Sequence, residues 1–482
     1  VVSSGSTTFI SFENRLDACA TPAAERAPER YDAFMAEHKM TDRNRRMLSD
    51  RMGAALFYGT FGALMFGPIA FGAVETWSIF VLEMLSVLLM LLWFSKQWLD
   101  GQLTLRWNPL FAPMAGFGIL VIAQLALHRS AYPHDTVSDA LLYGAYAMLC
   151  FLASQTLLRS SQARKLAAIF CVYGFVIAAM ALFQGIAPNG KLLWLRHPEH
   201  GGWIYGSYVN HNHYAGLMEL LVPIPLILSL TRLVEQKERI VAGVAAAVMT
   251  GTIFLSGSRG GMLAIFVEFA VLAVVLLRQN RGMRIALGVA AFAIVLLSLL
   301  SWLGGKELTT RVSSISTEAR SEVSGGMRLT IDRDSLHMFQ NRPVLGWGLG
   351  TFPVVYPEFR SFYTNFFVNE AHNDYLQLLT EMGLLGVGVM VWFLIVLYRN
   401  AIRKIGDWTS DVSSAVTLAC TLGFTGILVH SLLDFNLQIP ANAALFYVFC
   451  TIAAAPPLLQ RVHKRKPVPS EAPEELPASE VV

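Results

Sequence analysis

Charge is scarce in this chain: 15% of its 482 residues are Asp, Glu, Lys or Arg, while 54% are hydrophobic. Soluble globular domains carry about 25% charged residues. With a mean hydropathy of +0.48, the composition excludes that class and indicates an integral membrane protein. The net charge of +3 is too small to imply a nucleic-acid or acidic partner, so only the distribution of charge along the chain is informative. Cysteine is sparse as well. Four of the five cysteines, Cys150, Cys171, Cys420 and Cys450, lie in apolar runs and Cys19 lies in a polar stretch, which leaves no disulfide framework and no Cys/His metal spacing. No apolar core of signal-peptide type precedes the first long apolar run.

What the chain has in abundance is span-length apolar sequence. Taking about 20 apolar residues per crossing, about twelve helices are expected, near 54–73, 76–94, 109–127, 137–158, 166–186, 214–230, 240–256, 262–277, 285–302, 384–398, 415–433 and 441–459. The expected fold class is therefore an all-α polytopic membrane protein. Residues 1–52 are polar and read as a cytoplasmic extension; their first residue, Val1, suggests a trimmed start or shifted numbering. Spans one to nine occupy 53–302, a polar segment covers 303–381, three more spans fill 382–460, and the Pro/Glu/Ser-rich tail 461–482 has little to bury. Segment 303–381 is too long for a bundle connector and is a candidate functional loop.

Lys and Arg set the orientation. The connections after even-numbered spans hold Lys96 and Arg106, Arg159 and Lys165, Arg232 and Arg239, Arg278 and Arg284, and Arg403 and Lys404, and further basic residues precede the first span and follow the last. By the positive-inside rule that side is cytoplasmic. Both termini are then inside and the long loop outside. Basic residues on the outer side, such as Arg129, Lys191, Arg196 and Arg259, need reasons of their own.

The outer side collects almost every chemically suggestive stretch: "YVNHNHYAG" at 208–216, "GSRGG" at 257–261, "GGMRLTIDRDSLHMFQNRPVLGWGLG" at 325–350, "EAHNDY" at 370–375 and "HSLLDFNLQIP" at 430–440. Arg259 stands in a glycine-rich turn, where free backbone N–H groups and a guanidinium fork suit a phosphate; snorkelling to lipid headgroups is the plainer alternative. Arg328 begins a helix with Met327, Ile331, Leu336 and Phe339 on its apolar face, and Asp332 is a possible local partner. "LGWGLG" lacks the strand and helix of a dinucleotide fingerprint and reads as a tight turn leading back to the membrane. His211 and His213, two apart, cannot share a helix face as a metal pair; with Asn210 and Asn212 they line a cavity mouth or cap an interface. Glu83, Glu219 and Glu268 lie in or near spans, where a carboxylate is costly, and rank below the outer set. Asp434 is the acidic candidate of the last outer stretch.

His372, beside Asn373, sits where the external loop returns to the bilayer, and an imidazole can accept a proton near neutral pH. A structural, hydrogen-bonded histidine is the alternative. With Arg259 and Arg328 it outlines a site for an anionic lipid-linked substrate and a proton-donating acceptor.

On these residues the chain resembles the O-antigen ligase and O-antigen polymerase superfamily of bacterial envelope glycosyltransferases. His372 and Asn373 are followed after nine residues by Gly383 and after two more by Gly386, which matches the ligases' histidine pattern. "GSRGG", "GGMR" and "RPVLGWGLGTF" are similar to the family's arginine-bearing motifs, and "NHNHYAG" to the segment before its sixth span. The resemblance covers about 205–440. It implies a GT-C-like membrane enzyme of the bacterial inner membrane with its active site on the periplasmic face. The reaction it implies is en bloc transfer of a glycan from undecaprenyl diphosphate to a hydroxyl, with inversion and without cofactor, nucleotide sugar or essential metal. The acceptor would be lipid A-core oligosaccharide in a ligase or a second lipid-linked unit in a polymerase. His372, Arg259 and Arg328 are the implied catalytic residues, with His211, Asn212, His213, Asn373 and Asp434 binding substrate. A transporter of lipid-linked anions would show internal repeats and midplane polar groups; no repeat is visible and the polar clusters lie on one face.

Overall fold

Apolar runs become helices whose ends are set by local chemistry. The structure, a computed structural model, describes residues 28–197, 204–279, 323–364 and 367–459. Its helices are α1 (Pro28–Ile69), α2 (Thr76–Asp100), α3 (Phe111–Ala126), α4 (Pro133–Thr156), α5 (Ser160–Ile186), α6 (His211–Leu221), α7 (Pro223–Leu230), α8 (Gln236–Ser256), α9 (Arg259–Arg278), α10 (Val323–Asn341), α11 (Asp374–Lys404), α12 (Val412–His430) and α13 (Pro440–Ala454). Among the described residues nine segments are long and apolar enough to cross a membrane, with α6 and α7 forming one span broken at Pro223; α3 and α13 are apolar but shorter. Together these account for every expected span except 285–302. That one lies outside the described residues, as do 1–27, 303–322 and the tail from 460.

Three segments lie at the centre: α6–α7, α12 and the shorter α13, which is buried at every residue but Tyr447. In α6–α7, 83% of the most apolar stretch is buried, and in α12 78%, against 28% in α2 and α11. Small residues allow this close approach. A Cβ on Gly423 of α12 would lie 3.0 Å from the Leu220 carbonyl oxygen, and one on Gly426 would lie 2.0 Å from Glu268 Oε1 of α9. The polar termini gather at one end of the bundle: the starts of α6, α9, α11 and α13 and the end of α12. The other end is tied by Arg106 to the Pro456 carbonyl (2.8 Å), Lys404 Nζ to the Ala455 carbonyl (2.9 Å) and Gln279 to the Gly406 carbonyl (2.9 Å).

Among the differences from the sequence reading, two boundaries and one helix face have a visible reason. The eleventh expected span reached 433, but α12 ends at His430. Leu432 and Leu433 extend the apolar run without continuing the helix; both are exposed, and the Leu433 carbonyl is held by Arg328. The buried face of α10 is Ile331, Asp334, Ser335 and Met338, while Leu336 is exposed. Asp334 is drawn inward because it accepts hydrogen bonds from Tyr356 Oη (3.2 Å) and the Ser361 N–H (2.9 Å). Ile331 and Met338 pack with Phe352, Val355, Tyr356 and Ala371 in a small core of their own.

Helix α11 starts at Asp374, ahead of the expected 384, because Asn373 caps it: Asn373 Oδ1 accepts from the N–H groups of Tyr375 (3.1 Å) and Leu376 (3.2 Å). The helix breaks at Gly383, whose φ of 63° and ψ of −164° only glycine adopts readily. A break frees backbone groups, which must find partners. The "LGWGLG" turn supplies them. Trp347 and Gly348 donate to the carbonyls of Thr380 (3.0 Å) and Glu381 (2.9 Å), while Leu384 and Leu385 donate to those of Pro343 (2.8 Å) and Val344 (3.2 Å). Gln124 of α3 adds a bond to the Glu381 carbonyl at 2.8 Å. The turn's close approach explains its first glycine: a Cβ on Gly346 would stand 2.3 Å from the Glu381 oxygen.

Gly383→Ala should destabilise the protein by about 1–3 kcal/mol from backbone strain alone, with further cost because its Cβ would meet the Val344 oxygen at 2.4 Å. Gly388→Ala, later in the same helix and with nothing within 4 Å, is the control. Thermal unfolding in detergent should separate the two by several degrees; equal melting temperatures would refute the break as a structural requirement.

Candidate active site

Asp434 sits in the turn between α12 and α13, 1% exposed, and three other chain segments converge on it. The first turn of α6 contributes Asn212, whose Nδ2 donates to Asp434 Oδ2 at 2.6 Å, and His213, whose Nε2 lies 3.9 Å from Oδ1. From α10, Arg328 places a guanidinium nitrogen 3.6 Å from Oδ2. His372, just before α11, brings Nδ1 to 3.7 Å from Oδ1. The N–H of Phe435 donates to Oδ1 at 2.9 Å.

Burial works to raise the pKa of this carboxyl, but His372, His213 and Arg328 outweigh it and hold Asp434 well below the usual carboxylate range. It is an anion at neutral pH. Its partners are oriented around it and not spent on it. The Arg328 guanidinium also donates to the Leu433 carbonyl at 2.9 Å, while its Nε has no hydrogen-bond partner among the described residues. His372 Nδ1 stops short of hydrogen-bond distance, and its side chain remains 29% exposed. The Phe435 ring stands between the two imidazoles, its centroid 4.6 Å from that of His213 and 4.8 Å from that of His372, edge to face with both. His372 holds the left-handed backbone conformation at φ 55°, which histidine tolerates better than most residues.

Several sequence-predicted residues take other places. Arg328 is directed at Asp434 and Leu433, and Asp332, its expected partner, lies close enough to feel the charges of both His372 and Arg328. Asn373 commits its side-chain carbonyl to capping α11. His211, half-buried, opens α6 behind the capping residue Asn210, whose Oδ1 accepts from the Asn212 N–H at 2.9 Å. Arg259 is exposed at the first position of α9, where Ser258 Oγ accepts from the Gly261 N–H at 3.1 Å. The glycines after it serve packing: a Cβ on Gly260 would stand 2.3 Å from the His430 ring, and one on Gly261 would stand 2.7 Å from Ala215. Arg259 is therefore seated one residue from His430, which begins the turn that carries Asp434.

Sequence reasoning passed over Phe435 and ranked Glu219 low. His430 Nδ1 and Glu219 Oε1 are 2.8 Å apart with both side chains buried, directly beneath Gly260. The signal for that pair was a carboxylate inside an apolar span. Its partner, 211 residues away, could not be named from the sequence. Among the described residues no group of three or more His, Cys, Asp or Glu side chains is arranged to hold a metal ion. The chemistry on offer is an oriented imidazole, a fixed carboxylate and a partly exposed guanidinium.

A family model described as O-antigen ligase matches residues 244–393. That stretch contains Arg259, Arg328 and His372, whereas Asn212, His213 and Asp434 lie outside it. No curated protein matches the chain.

Asp434→Asn should destabilise the protein by about 3–5 kcal/mol, the usual cost of breaking a buried charge pair. The native carboxyl is held below its unfolded value of about 3.9. Its contribution is therefore present above about pH 4 and lost as pH falls through the depressed native value. The gap in melting temperature between wild type and variant should persist as pH falls to about 5 and narrow below about pH 4, where the carboxylate takes up its proton. A gap closing between pH 5 and 8 would contradict an ionised Asp434.

Proposed function

Since the chain belongs to the O-antigen ligase and polymerase superfamily, we propose that it is a ligase-type glycosyltransferase. It moves a glycan en bloc from undecaprenyl diphosphate to a hydroxyl of lipid A-core oligosaccharide, on the periplasmic face of the bacterial inner membrane. Both chain termini are cytoplasmic in this reading. The observation that carries it is the convergence of Arg328, His372, His213 and Asn212 on one buried anion at a single end of a membrane bundle. The matching family model supports a glycosyltransferase of the ligase or polymerase type, and we prefer the ligase on the spacing of His372 and Asn373 to Gly383 and Gly386.

In the reaction the acceptor oxygen forms a bond to the anomeric carbon while the bond from that carbon to the diphosphate oxygen breaks. Its electron pair leaves on the diphosphate, and the acceptor proton passes to His372. Attack opposite the leaving group inverts the anomeric centre. Arg259 and Arg328 stabilise the developing charge, a role in which preorganised donors contribute about 10²–10³-fold. The Arg328 side chain, 32% exposed beside Asp434, is accessible for it. Asp434 orients His372, as the third member of a nucleophile–base–orienter set does. Asn212 and His213 hold Asp434 from behind, His211 and the amide nitrogen of Asn373 face the saccharide, and the carrier's apolar tail lies against the lipid-facing helices.

His372→Ala, Arg259→Ala and Arg328→Ala should each reduce transfer by about 10²-fold or more while the protein still inserts. Lys at either arginine should recover little, since it lacks the bidentate fork. In cells, each variant should accumulate long polymer on the carrier lipid and leave lipid A-core bare. Near-normal transfer by His372→Ala would remove the acceptor-activating role, and accumulation of single units would indicate a polymerase. Leu329, next to Arg328 and 73% exposed, offers a test of sidedness. A Leu329→Cys variant should react with a membrane-impermeant maleimide from the periplasm; labelling only after the inner membrane is opened would overturn the orientation.

A further inference from the structure

Asp374 lies two residues beyond His372 at the first position of α11 and is buried, 6% exposed. All of its recorded polar contacts go to the turn that carries Asp434. Its Oδ2 accepts from Ser431 Oγ at 2.7 Å and from the Leu437 N–H at 3.1 Å. Oδ1 accepts from Gln438 Nε2 at 3.4 Å, and its own N–H donates to the Ser431 carbonyl at 3.0 Å. Ser431 precedes Asp434 by three residues and Leu437 follows it by three. One carboxylate thus closes the turn across its base, with Asp434 at the apex, and the same residue's backbone is joined through Asn373 to His372.

We propose that Asp374 is the positioning residue of this site: it fixes the distance between Asp434 and His372 by holding the Asp434 turn to the chain that presents the imidazole. The physical reason is the scarcity of alternatives. The turn 431–439 is irregular apart from one short 3-10 segment, Asn436–Gln438, so its shape is not set by a helical ladder. A carboxylate with two acceptor oxygens can take side-chain and backbone donors from both limbs of the turn at once. The His430 carbonyl, accepting from the N–H groups of Leu433 (2.8 Å) and Asp434 (3.1 Å), fixes only the first limb. Without Asp374 the second limb has no anchor to α11, and Asp434 loses its register against His372. A shift of about 1 Å in such an arrangement can cost about 10²-fold in rate.

The proposal rests on the ligase reading of the site, and its test separates the two. The donor probe is undecaprenyl-diphosphate-linked glycan extracted from cells lacking this chain, and the acceptor is lipid A-core from the same cells. Each variant is full-length, in detergent or nanodiscs. Asp374→Ala should lower kcat by about 10²-fold with KM for the donor within about twofold. The double variant Asp374→Ala/Asp434→Ala should be no slower than Asp434→Ala alone, because both act through the same carboxylate. Asp374→Asn keeps one acceptor oxygen for Ser431 and Leu437 and should retain at least about a third of the wild-type rate, a loss of under about 1 kcal/mol. Ser431→Ala, which removes one donor from the other side, should fall between. Multiplicative losses in the double variant, or an Asn variant as slow as the Ala variant at unchanged melting temperature, would overturn the positioning role. So would an active Asp374→Ala beside an inactive Asp434→Ala. If Asp434→Ala itself transfers at the wild-type rate, the ligase reading of this site falls instead.

Discussion

A buried carboxylate must be surrounded before it can exist, and that requirement shapes this end of the molecule. Asp434 is removed from water in a membrane protein, where an unpaired ion costs several kcal/mol. The chain meets the cost with groups drawn from α6, α10 and the segment before α11, separated by as many as 222 residues. Each partner keeps something in reserve, whether the partly exposed side chain of Arg328 or the partly exposed ring of His372. The same contacts that make the anion tolerable also bring an imidazole and a guanidinium to a common point. Stabilising the fold and assembling the site are, at Asp434, one act.

The second constraint is geometric. A helix that must pass from an aqueous face into lipid cannot leave backbone groups open, yet α11 is interrupted at Gly383. The glycine-rich turn at 343–350 answers this by bonding to both sides of the break, so two sequence motifs that look independent are halves of one joint. That joint also explains the helix on either side: a capped segment bearing His372 and a lipid-facing segment after the break, with 28% burial in the span as a whole.

Hydropathy made the spans legible because lipid enforces a simple rule on length and polarity. Every expected span within the described residues has a helix in its place. Boundaries were less legible where two rules compete. The apolar Leu432 and Leu433 extended the expected eleventh span beyond His430, while the polar start of α11 hid a helix that Asn373 caps. Single site residues were recognisable by type and position, as with His372, Arg328 and Asp434. Their meeting was not, since one sequence carries no trace of contacts over more than a hundred residues. The inward turn of Asp334 and the interposed ring of Phe435 belong to the same class of three-dimensional fact.

The nine residues between Asn373 and Gly383 can now be given a length. At about 1.5 Å per residue they form a helical strut of about 13–14 Å, fixed at one end by a side-chain cap and at the other by the clasp on the break. After the break the helix from 384 to 404 is long enough by itself to span the hydrocarbon. The strut therefore acts as a ruler, setting how far the imidazole stands from the break at Gly383 whatever tilt the lower helix adopts. Inserting or deleting a residue there would change that distance by about 1.5 Å and rotate the cap by about 100°, so the spacing is under constraint alongside the identity of Asp374.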